Sequence, residues 1–462
     1  MTTEQSSQTA ATKLASFVAN LTYDDLPDNV IHAAVRSLVD TLGAAIGGAG
    51  STEAKMLYAA APLLGPGNES TLWGTNRRSS GPTAALVNGT VAHVLEMDDF
   101  GGCDHSGAIV VPTVLALAEA NPAITGKDLI VAIVAGYDIA RRPMEALGGY
   151  SSHNEEGWHS TGTCGTFGAA AAAGKILGLN VDQLTSAIGL AGTFTGGLWA
   201  FIDDGAMSKR YHVGRAAESG ATAALLSREG FTGPSRIFEA EWGGFLNTYS
   251  REGGSVQTLI EGLGEDFRIL KSGIKPYASC RGVHSAIDSL KSLQSEFGFN
   301  QADVSTITVH IDPFGMGMVG GRQTHSLLST QMSLPYGLAV TLSEGDASIR
   351  QYTEEKRQDF QIRKALELIE MNPTTEMSKD EEPVVEVHLK DGRTVSRRVD
   401  VALGAPGNPV SDEDLDAKFT SLASMTLDTD RVASLLALLR RTPEIGDLSE
   451  LWQLLRVPDT TA

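Results

Sequence analysis

The stretch Gly157-Trp158-His159-Ser160-Thr161-Gly162-Thr163-Cys164-Gly165-Thr166-Phe167-Gly168 runs directly into Ala169–Leu177, a segment of small side chains. A helix built from it lets neighbouring helices approach closely, so the chain around it must be densely packed and largely helical. Its histidine sits among glycines and hydroxyls at the mouth of that helix. Glycine admits a ligand close to the backbone, Ser and Thr supply short polar contacts, and an imidazole exchanges a proton near neutral pH. A helix starting here would also aim free backbone N–H groups at an anion. Read blandly, the same residues serve only packing.

Two nucleotide-binding motifs fail on this stretch. Gly162, Gly165 and Gly168 are spaced GxxGxxG rather than GxGxxG, and no apolar strand precedes them. Gly174-Lys175 resembles the end of a phosphate loop, but Ile176 stands where a magnesium-binding hydroxyl belongs.

Helical spacing continues on both sides. Leu14, Phe17, Val18 and Leu21 share one face, and Ile31, Ala34, Leu38 and Leu42 repeat it after Pro27. Ala54–Leu64, Pro82–Met97, Pro112–Ala120, Gly126–Ala140, Thr166–Leu177, Val181–Ala191 and Gly214–Arg228 read the same way. The texture then changes: Ser305–Ile311 alternates as a strand, and Val384–Leu389 and Thr394–Val399 flank Lys390-Asp391-Gly392-Arg393, whose Asp-Gly marks a tight hairpin. His284–Leu293, Ser333–Leu342 and Ile349–Met371 read as helices between them. Past the Gly404–Pro409 linker, Asp412–Leu455 is helical again. The expected class is mainly α. A large all-helical domain is formed by both chain ends (1–268 and 404–462), with a smaller α+β lid domain (269–403) inserted between them.

Composition removes several functions. A net charge of -20 with no Lys/Arg cluster beyond a pair argues against nucleic-acid binding. Three widely spaced cysteines and a polar N-terminus point to a reduced, cytoplasmic protein. The longest apolar run, Leu129–Tyr137, is too short to span a membrane, so no membrane partner is expected.

Four stretches combine glycine, a proton-transfer group and a fixed charge: Asn88–Gly107 with its Glu96-Met97-Asp98-Asp99 and Asp104-His105, the stretch around His159, Phe201–Gly214 with Lys209-Arg210, and Ile274–His284. Carboxylates beside an imidazole set its tautomer and basicity, as proton transfer requires. They could also hold a metal, but no HxxxH-like spacing supports it. His93 reads as structural. The Lys209-Arg210 pair, placed just before an Ala-rich helix, reads as a solvated pair or as a partner for a carboxylate. Neither Cys280 nor Ser160 or Ser208 carries a nucleophile signature.

In this order the four stretches resemble the MmgE/PrpD family, which includes 2-methylcitrate dehydratases, cis-aconitate decarboxylases and iminodisuccinate epimerases. Leu86–Pro112, Trp158–Leu179, Lys209–Pro234 and Lys275–Asp288 carry the match, with support from Leu26–Gly43, Gly407-Asn408-Pro409 and Lys418-Phe419. The resemblance implies a helical domain with an inserted lid, a homodimer, and a cleft between domains. There a small di- or tricarboxylate is processed without metal or organic cofactor, by proton removal next to a carboxylate. It also implies that His105, His159, Lys209 and Lys275 are the catalytic groups. Glu96, Asp99, Ser160, Cys280, Arg281 and His284 are the expected substrate contacts.

The sequence departs from the family in Glu96, which stands in place of an aspartate, in His105-Ser106 in place of His-Pro, and in the Phe100–Cys103 loop. From the sequence, a cofactor-free lyase is expected, first a dehydratase of the 2-methylcitrate type. A cis-aconitate-type decarboxylase and a dicarboxylate isomerase or epimerase are the alternatives. A small-anion-binding protein without turnover and a metal-dependent hydratase are the readings from outside that set.

Overall fold

Small side chains set the spacing of the helices that surround the site in a computed structural model, which describes residues 8–457. Nine helices position the site: α1 (Asp28–Gly48), α2 (Gly81–Ala92), α3 (Ser106–Ala118), α4 (Gly126–Ala146), α5 (Ser160–Ile176), α6 (Ser208–Arg228), α7 (His284–Phe297), α8 (Leu334–Glu344) and α9 (Asp412–Ala423). The Ala/Gly segment is α5, buried along nearly its whole length between α4 and α6. A Cβ at Gly168 would lie 2.5 Å from the Gly136 carbonyl oxygen, and one at Gly214 would lie 2.1 Å from that of Leu86. These backbones therefore touch, and any larger residue would force them apart.

The chain ends meet by the same device. Gly43 and Gly47 of α1 receive Phe419 and Leu422 of α9, and Lys418 adds a buried ion pair with Asp40 at 2.5 Å. Lys418 also donates to the Met97 carbonyl, so the C-terminal helix holds the segment that carries the site. The helix α1 is long and apolar enough to cross a membrane, which the sequence reading missed by stopping at Leu129–Tyr137. Here it is a core helix, buried from Ala34 to Gly48 apart from the half-buried Arg36 side of its face.

A second hydrophobic core gathers around a four-stranded sheet of β1 (Val304–Ile311), β2 (Ile369–Pro373), β3 (Val384–Leu389) and β4 (Thr394–Arg397), in the order β2-β1-β3-β4. Only β1–β2 is parallel. The strand β1 alternates as expected, burying Val304, Ile307, Val309 and Ile311. The hairpin β3–β4 forms as expected, pairing His388 with Thr394, and Gly392 takes φ 91° in its turn. Helices α7 and α8 pack on each other and on the sheet.

The class is mainly α with a small sheet region, as the sequence suggested. Several element assignments change: the helices read from Pro112 and Thr166 begin at Ser106 and Ser160, the one read as Gly126–Ala140 runs on to Ala146, and Asp412–Leu455 is three α-helices and a 3-10 turn. Ile349–Met371 is not one helix but a 3-10 turn, two short helices broken at Asp359, and the strand β2. The helix read as Pro82–Met97 ends at Ala92, where the chain turns to form the site. The helix expected from Gly214 begins at Ser208, which places Lys209 and Arg210 inside α6 rather than before it.

Candidate active site

Between α2 and α3 the segment His93–His105 crosses from one core to the other. Val94, Leu95 and Met97 pack into the second core, while His93, Glu96, Asp98, Asp99 and His105 are buried beside them. Arg210 donates to the Val94 carbonyl at 3.2 Å and to Gln331, and Gln331 donates to the Leu95 carbonyl at 2.9 Å. Glu96 and Asp104 hold φ at 53° and 108°. Left-handed backbone at non-glycine residues is strained by about 1–3 kcal/mol each and collects where a side chain must be aimed.

Glu96 is the hub. Its carboxylate accepts from Lys209 Nζ at 2.8 Å through both oxygens and from Lys275 Nζ at 3.0 Å. All three side chains are at most 2 % exposed. Burial alone would raise the Glu96 pKa, but the two ammonium groups outweigh it and hold the carboxyl well below its usual range. Burial opposes the charge on Lys275 too, and the carboxylates of Glu96 and Asp98 reverse that and raise its pKa. The methylene by which Glu96 exceeds an aspartate gives the reach to touch both lysines.

Asp98 sits between two imidazoles. His93 Nδ1 donates to its Oδ1 at 2.9 Å, and His105 Nδ1 lies 2.9 Å from its Oδ2 while donating to the Asp99 carbonyl at 3.1 Å. His105 Nε2 faces Asp104 at 3.3 Å and Lys209 Nζ at 3.4 Å. Burial depresses the His105 pKa, yet Asp104 and Asp98 overcome it and lift the ring to about 9. His105 is thus an imidazolium at neutral pH. His93 is the opposite case: burial carries its pKa down to about 3, so its neutral Nε2 accepts from Lys209 at 2.7 Å.

His159 caps the start of α5 with its ring fully buried. Burial and then Lys209 drive its pKa well below the usual imidazole value. Its Nε2 has no hydrogen-bond partner among the described residues and lies 3.8 Å from Asp104 Oδ2. Its Nδ1 is 3.1 Å from His212 Nδ1. Trp199 and Phe201 pack edge-on against the ring.

Glu96, Asp104, His105 and Lys209 line a cavity of about 380 Å³ between the two cores together with Cys280 and Arg281, whereas His159, expected to be catalytic, is buried behind Asp104 and is not on its wall. Arg281 is paired with Glu382 at 2.5 Å and stacks over Phe100. Cys280 is a buried free thiol whose pKa burial pushes up, so it offers no thiolate at neutral pH.

Three expected substrate contacts lie elsewhere. Asp99 turns from the cavity to accept from Tyr137 at 2.8 Å and from the Gly107 amide at 2.9 Å, and burial followed by Asp98 raises its pKa to about 8. Ser160 bonds Asn154, whose side chain also takes the first free amide of α5, so that helix start is not open to an anion. His284 packs between Phe100 and Tyr277 and donates to the Ser279 carbonyl at 3.2 Å. Lys275 stands behind Glu96 rather than on the cavity wall. His93, taken as structural, belongs to the charged cluster.

The carboxylates that the sequence set beside His105 as controlling its tautomer and basicity are Asp98 and Asp104, and not Asp99; what the sequence reading missed is His212 as the partner of His159. The signal for His212 was its i,i+3 spacing from Lys209 on one helical face.

Two groups of side chains, His93/Asp98/His105 and Asp104/His105/His159, have ligand atoms within 4.8 Å of one another. In the first, the carboxylate already pairs with both rings, and a lysine ammonium is hydrogen-bonded to His93. In the second, His105 is held protonated, with Lys209 beside it. That donor set suits proton transfer at an anionic ligand better than metal ligation.

Known proteins resemble the chain from end to end. Residues 12–256 match the MmgE/PrpD N-terminal domain and residues 277–441 the MmgE/PrpD C-terminal domain. Cis-aconitate decarboxylase of Aspergillus terreus is 27% identical over 471 residues, covering 96% of both chains. That of Homo sapiens is 28% identical over 463 residues, covering 96% of this chain and 94% of its own. That of Mus musculus is 26% identical over 461 residues, covering 96% and 93%. With both family domains matched in order and a buried acid–base cluster at the cleft between them, the chain belongs to the MmgE/PrpD family and is an enzyme of its lyase and isomerase type.

Proposed function

We propose that the enzyme decarboxylates a small unsaturated di- or tricarboxylate of the cis-aconitate type. The observation that carries this reading is the similarity to cis-aconitate decarboxylases along 96% of the chain. It moves the weight from the dehydratase expected first to the decarboxylase.

The site geometry supplies the chemistry. Breaking the carbon–carboxylate bond releases carbon dioxide and leaves an electron pair on an already anionic substrate. Lys209 and the His105 imidazolium lie where that charge develops, both buried beside the cavity, where fixed cations act more strongly than in bulk water. His105 Nε2–H then gives its proton to carbon, completing the C–H bond and leaving a neutral ring whose Nδ1–H stays on the Asp99 carbonyl. Lys275 acts through Glu96, holding that carboxylate and with it Lys209. Arg281 and Cys280 contact the far end of the substrate.

One observation favours dehydration as a second reading. A neutral His159 with a free Nε2 stands across Asp104 from a protonated His105, the base and acid that loss of water requires.

Incubating chelator-treated enzyme with a panel of citrate-, aconitate- and malate-type acids in deuterated water, followed by proton NMR and carbon dioxide release, tests both. The expected result is carbon dioxide with one deuterium on the product carbon, reduced about 10²-fold or more in His105→Gln. Water loss or exchange without carbon dioxide would replace the decarboxylase reading. Tight binding without any reaction would point to an anion-binding protein.

A further inference from the structure

We propose that Arg281 and Ser285 form a receptor for the far carboxylate of the substrate, that Glu382 fills this receptor in the free enzyme, and that the substrate enters by taking its place. The proposal rests on the carboxylate-substrate reading above and deepens it by naming the residue that competes for the subsite.

Seven carboxylates line the cleft against five cationic side chains, the His105 imidazolium among them. An acid with two or three negative charges adds to that excess unless it takes over a cation already in use. All four Lys and Arg side chains there are paired: Lys209 with Glu96, Arg141 with Glu145, Lys379 with Glu155 and Arg281 with Glu382. Three of these pairs have no reason to open. Glu96 is held by two ammonium groups, and Glu145 of α4 is held by Arg268 as well as by Arg141. Glu155 is exposed and is not on the cleft wall. Glu382 is different, because it lies in the 374–383 connection between β2 and β3, which contains no helix or strand.

The Glu382 carboxylate accepts from Arg281 Nη1 and Nη2 at 3.3 and 2.5 Å and from the Ser285 hydroxyl at 2.6 Å. A guanidinium fork with a hydroxyl beside it is a donor set that recognises a carboxylate. Both halves of the receptor are fixed by contacts other than Glu382. Ser285 is fully buried at the start of α7, and the Arg281 guanidinium lies over the Phe100 ring, 5.5 Å from its centre. Arg281 and Glu382 line the same cleft as Lys209 and His105, so one small acid spans from the proton donor to the receptor. The ties that hold the 374–383 connection to the helical domain, Ser151 to Asp380 and Lys379 to Glu155, are solvent-exposed and individually weak. Exchange replaces one carboxylate by another: the acid remakes the bonds to Arg281 and Ser285, and Glu382 passes into water.

The test titrates tricarballylate, a saturated tricarboxylate, by calorimetry into wild type, Glu382→Gln, Glu382→Ala and Asp380→Asn. An acid that must wait for Glu382 to leave binds with its intrinsic affinity reduced by the fraction of receptors that stand empty. With the receptor filled about nine-tenths of the time, affinity is expected to rise about tenfold in both Glu382 variants. Asp380→Asn removes an equal charge from the same wall without freeing Arg281, and is expected to stay within about twofold of wild type. The gain is expected to vanish in an Arg281→Ala background. For whichever acid the wild type turns over, KM is expected to fall by about the same factor in Glu382→Gln with kcat within about twofold. Affinity that stays at the wild-type value in the Glu382 variants would overturn the proposal, and so would affinity that falls, because Glu382 would then serve to orient Arg281. An equal gain in Asp380→Asn, or a gain that persists without Arg281, would overturn it as well, being the mark of cleft charge in general. A gain that needs Arg281, in an enzyme that turns over no acid, would uphold the receptor and remove the decarboxylase reading.

Discussion

Asp98→Asn tests how the site keeps His105 charged. Asp98 Oδ2 lies 2.9 Å from His105 Nδ1 with both groups buried, and the ring is held at about 9 where an ordinary imidazole titrates near 6.5. Two unit charges with centres about 4 Å apart interact by roughly 4 kcal/mol at an effective dielectric constant of 20, and each pKa unit is worth about 1.36 kcal/mol. Losing Asp98 could therefore lower the ring by up to about three units. Asp104 remains, and its contribution is the larger of the two, so a fall of about one to two units is expected. The group must be protonated to donate, so kcat/KM of the wild type declines as pH rises through about 9, and in Asp98→Asn that basic limb moves to about 7–8. The same shift bears on stability. A raised folded-state pKa contributes fully below the unfolded value near 6.5 and is lost as pH rises through about 9. The assay is the pH dependence of kcat/KM for both proteins, with folding checked by circular dichroism. A limb that stays at the wild-type position would refute the account of His105 as an acid charged by its carboxylates.

Glu96→Gln leaves two buried ammonium groups without their shared carboxylate. Breaking a buried pair in this way is destabilising by about 3–5 kcal/mol. An unfolding entropy of about 2.1 cal/mol/K per residue over 462 residues converts this to a Tm lower by about 3–5 °C, read by scanning calorimetry, with partial recovery on adding a small dicarboxylate. Asp99→Asn has the opposite outcome: because Asp99 is held largely neutral at pH 7, the amide is expected to change stability by less than about 1 kcal/mol in denaturant unfolding. Gly214→Val drives a side chain into the Leu86 carbonyl and Thr90, and is expected to give little folded protein at 37 °C by soluble yield.

Much of this organisation was legible in the sequence because it follows from local pattern. The α5 segment, the strand alternation of β1 and the Asp-Gly turn each need only a few neighbouring residues to be read. Type and order marked the stretches that hold His105, His159, Lys209 and Glu96, and the family resemblance picked out the residues themselves; the structure brings His105, Lys209 and Glu96 within 4 Å of one another, with His159 across Asp104 from His105. What escaped depends on direction. Asp99 and Asp98 are adjacent, yet one faces Tyr137 and the other two imidazoles, because the chain turns between Glu96 and His105 in a way no periodicity reveals. The break inside Ile349–Met371 was hidden for a similar reason: Asp359 caps a new helix through its side chain, while β2 forms because β1 offers a free edge.

Val94, Leu95 and Met97, which sit in the second core although they precede most of the first, bear on how the enzyme is made. During synthesis His105, His159 and Lys209 emerge well before Lys275 and the residues of the sheet. Until these arrive, Glu96 has one ammonium partner instead of two, the Leu95 carbonyl lacks its Gln331 donor, and Arg210, which holds the Val94 carbonyl, lacks its bond to Gln331. The nascent chain can gather its helices and its carboxylates around His105, but the Glu96 hub and the cavity wall that Cys280 and Arg281 supply stay incomplete. Catalytic competence therefore reports completion of the whole chain, and a truncated product keeping every residue up to 270 would be inert.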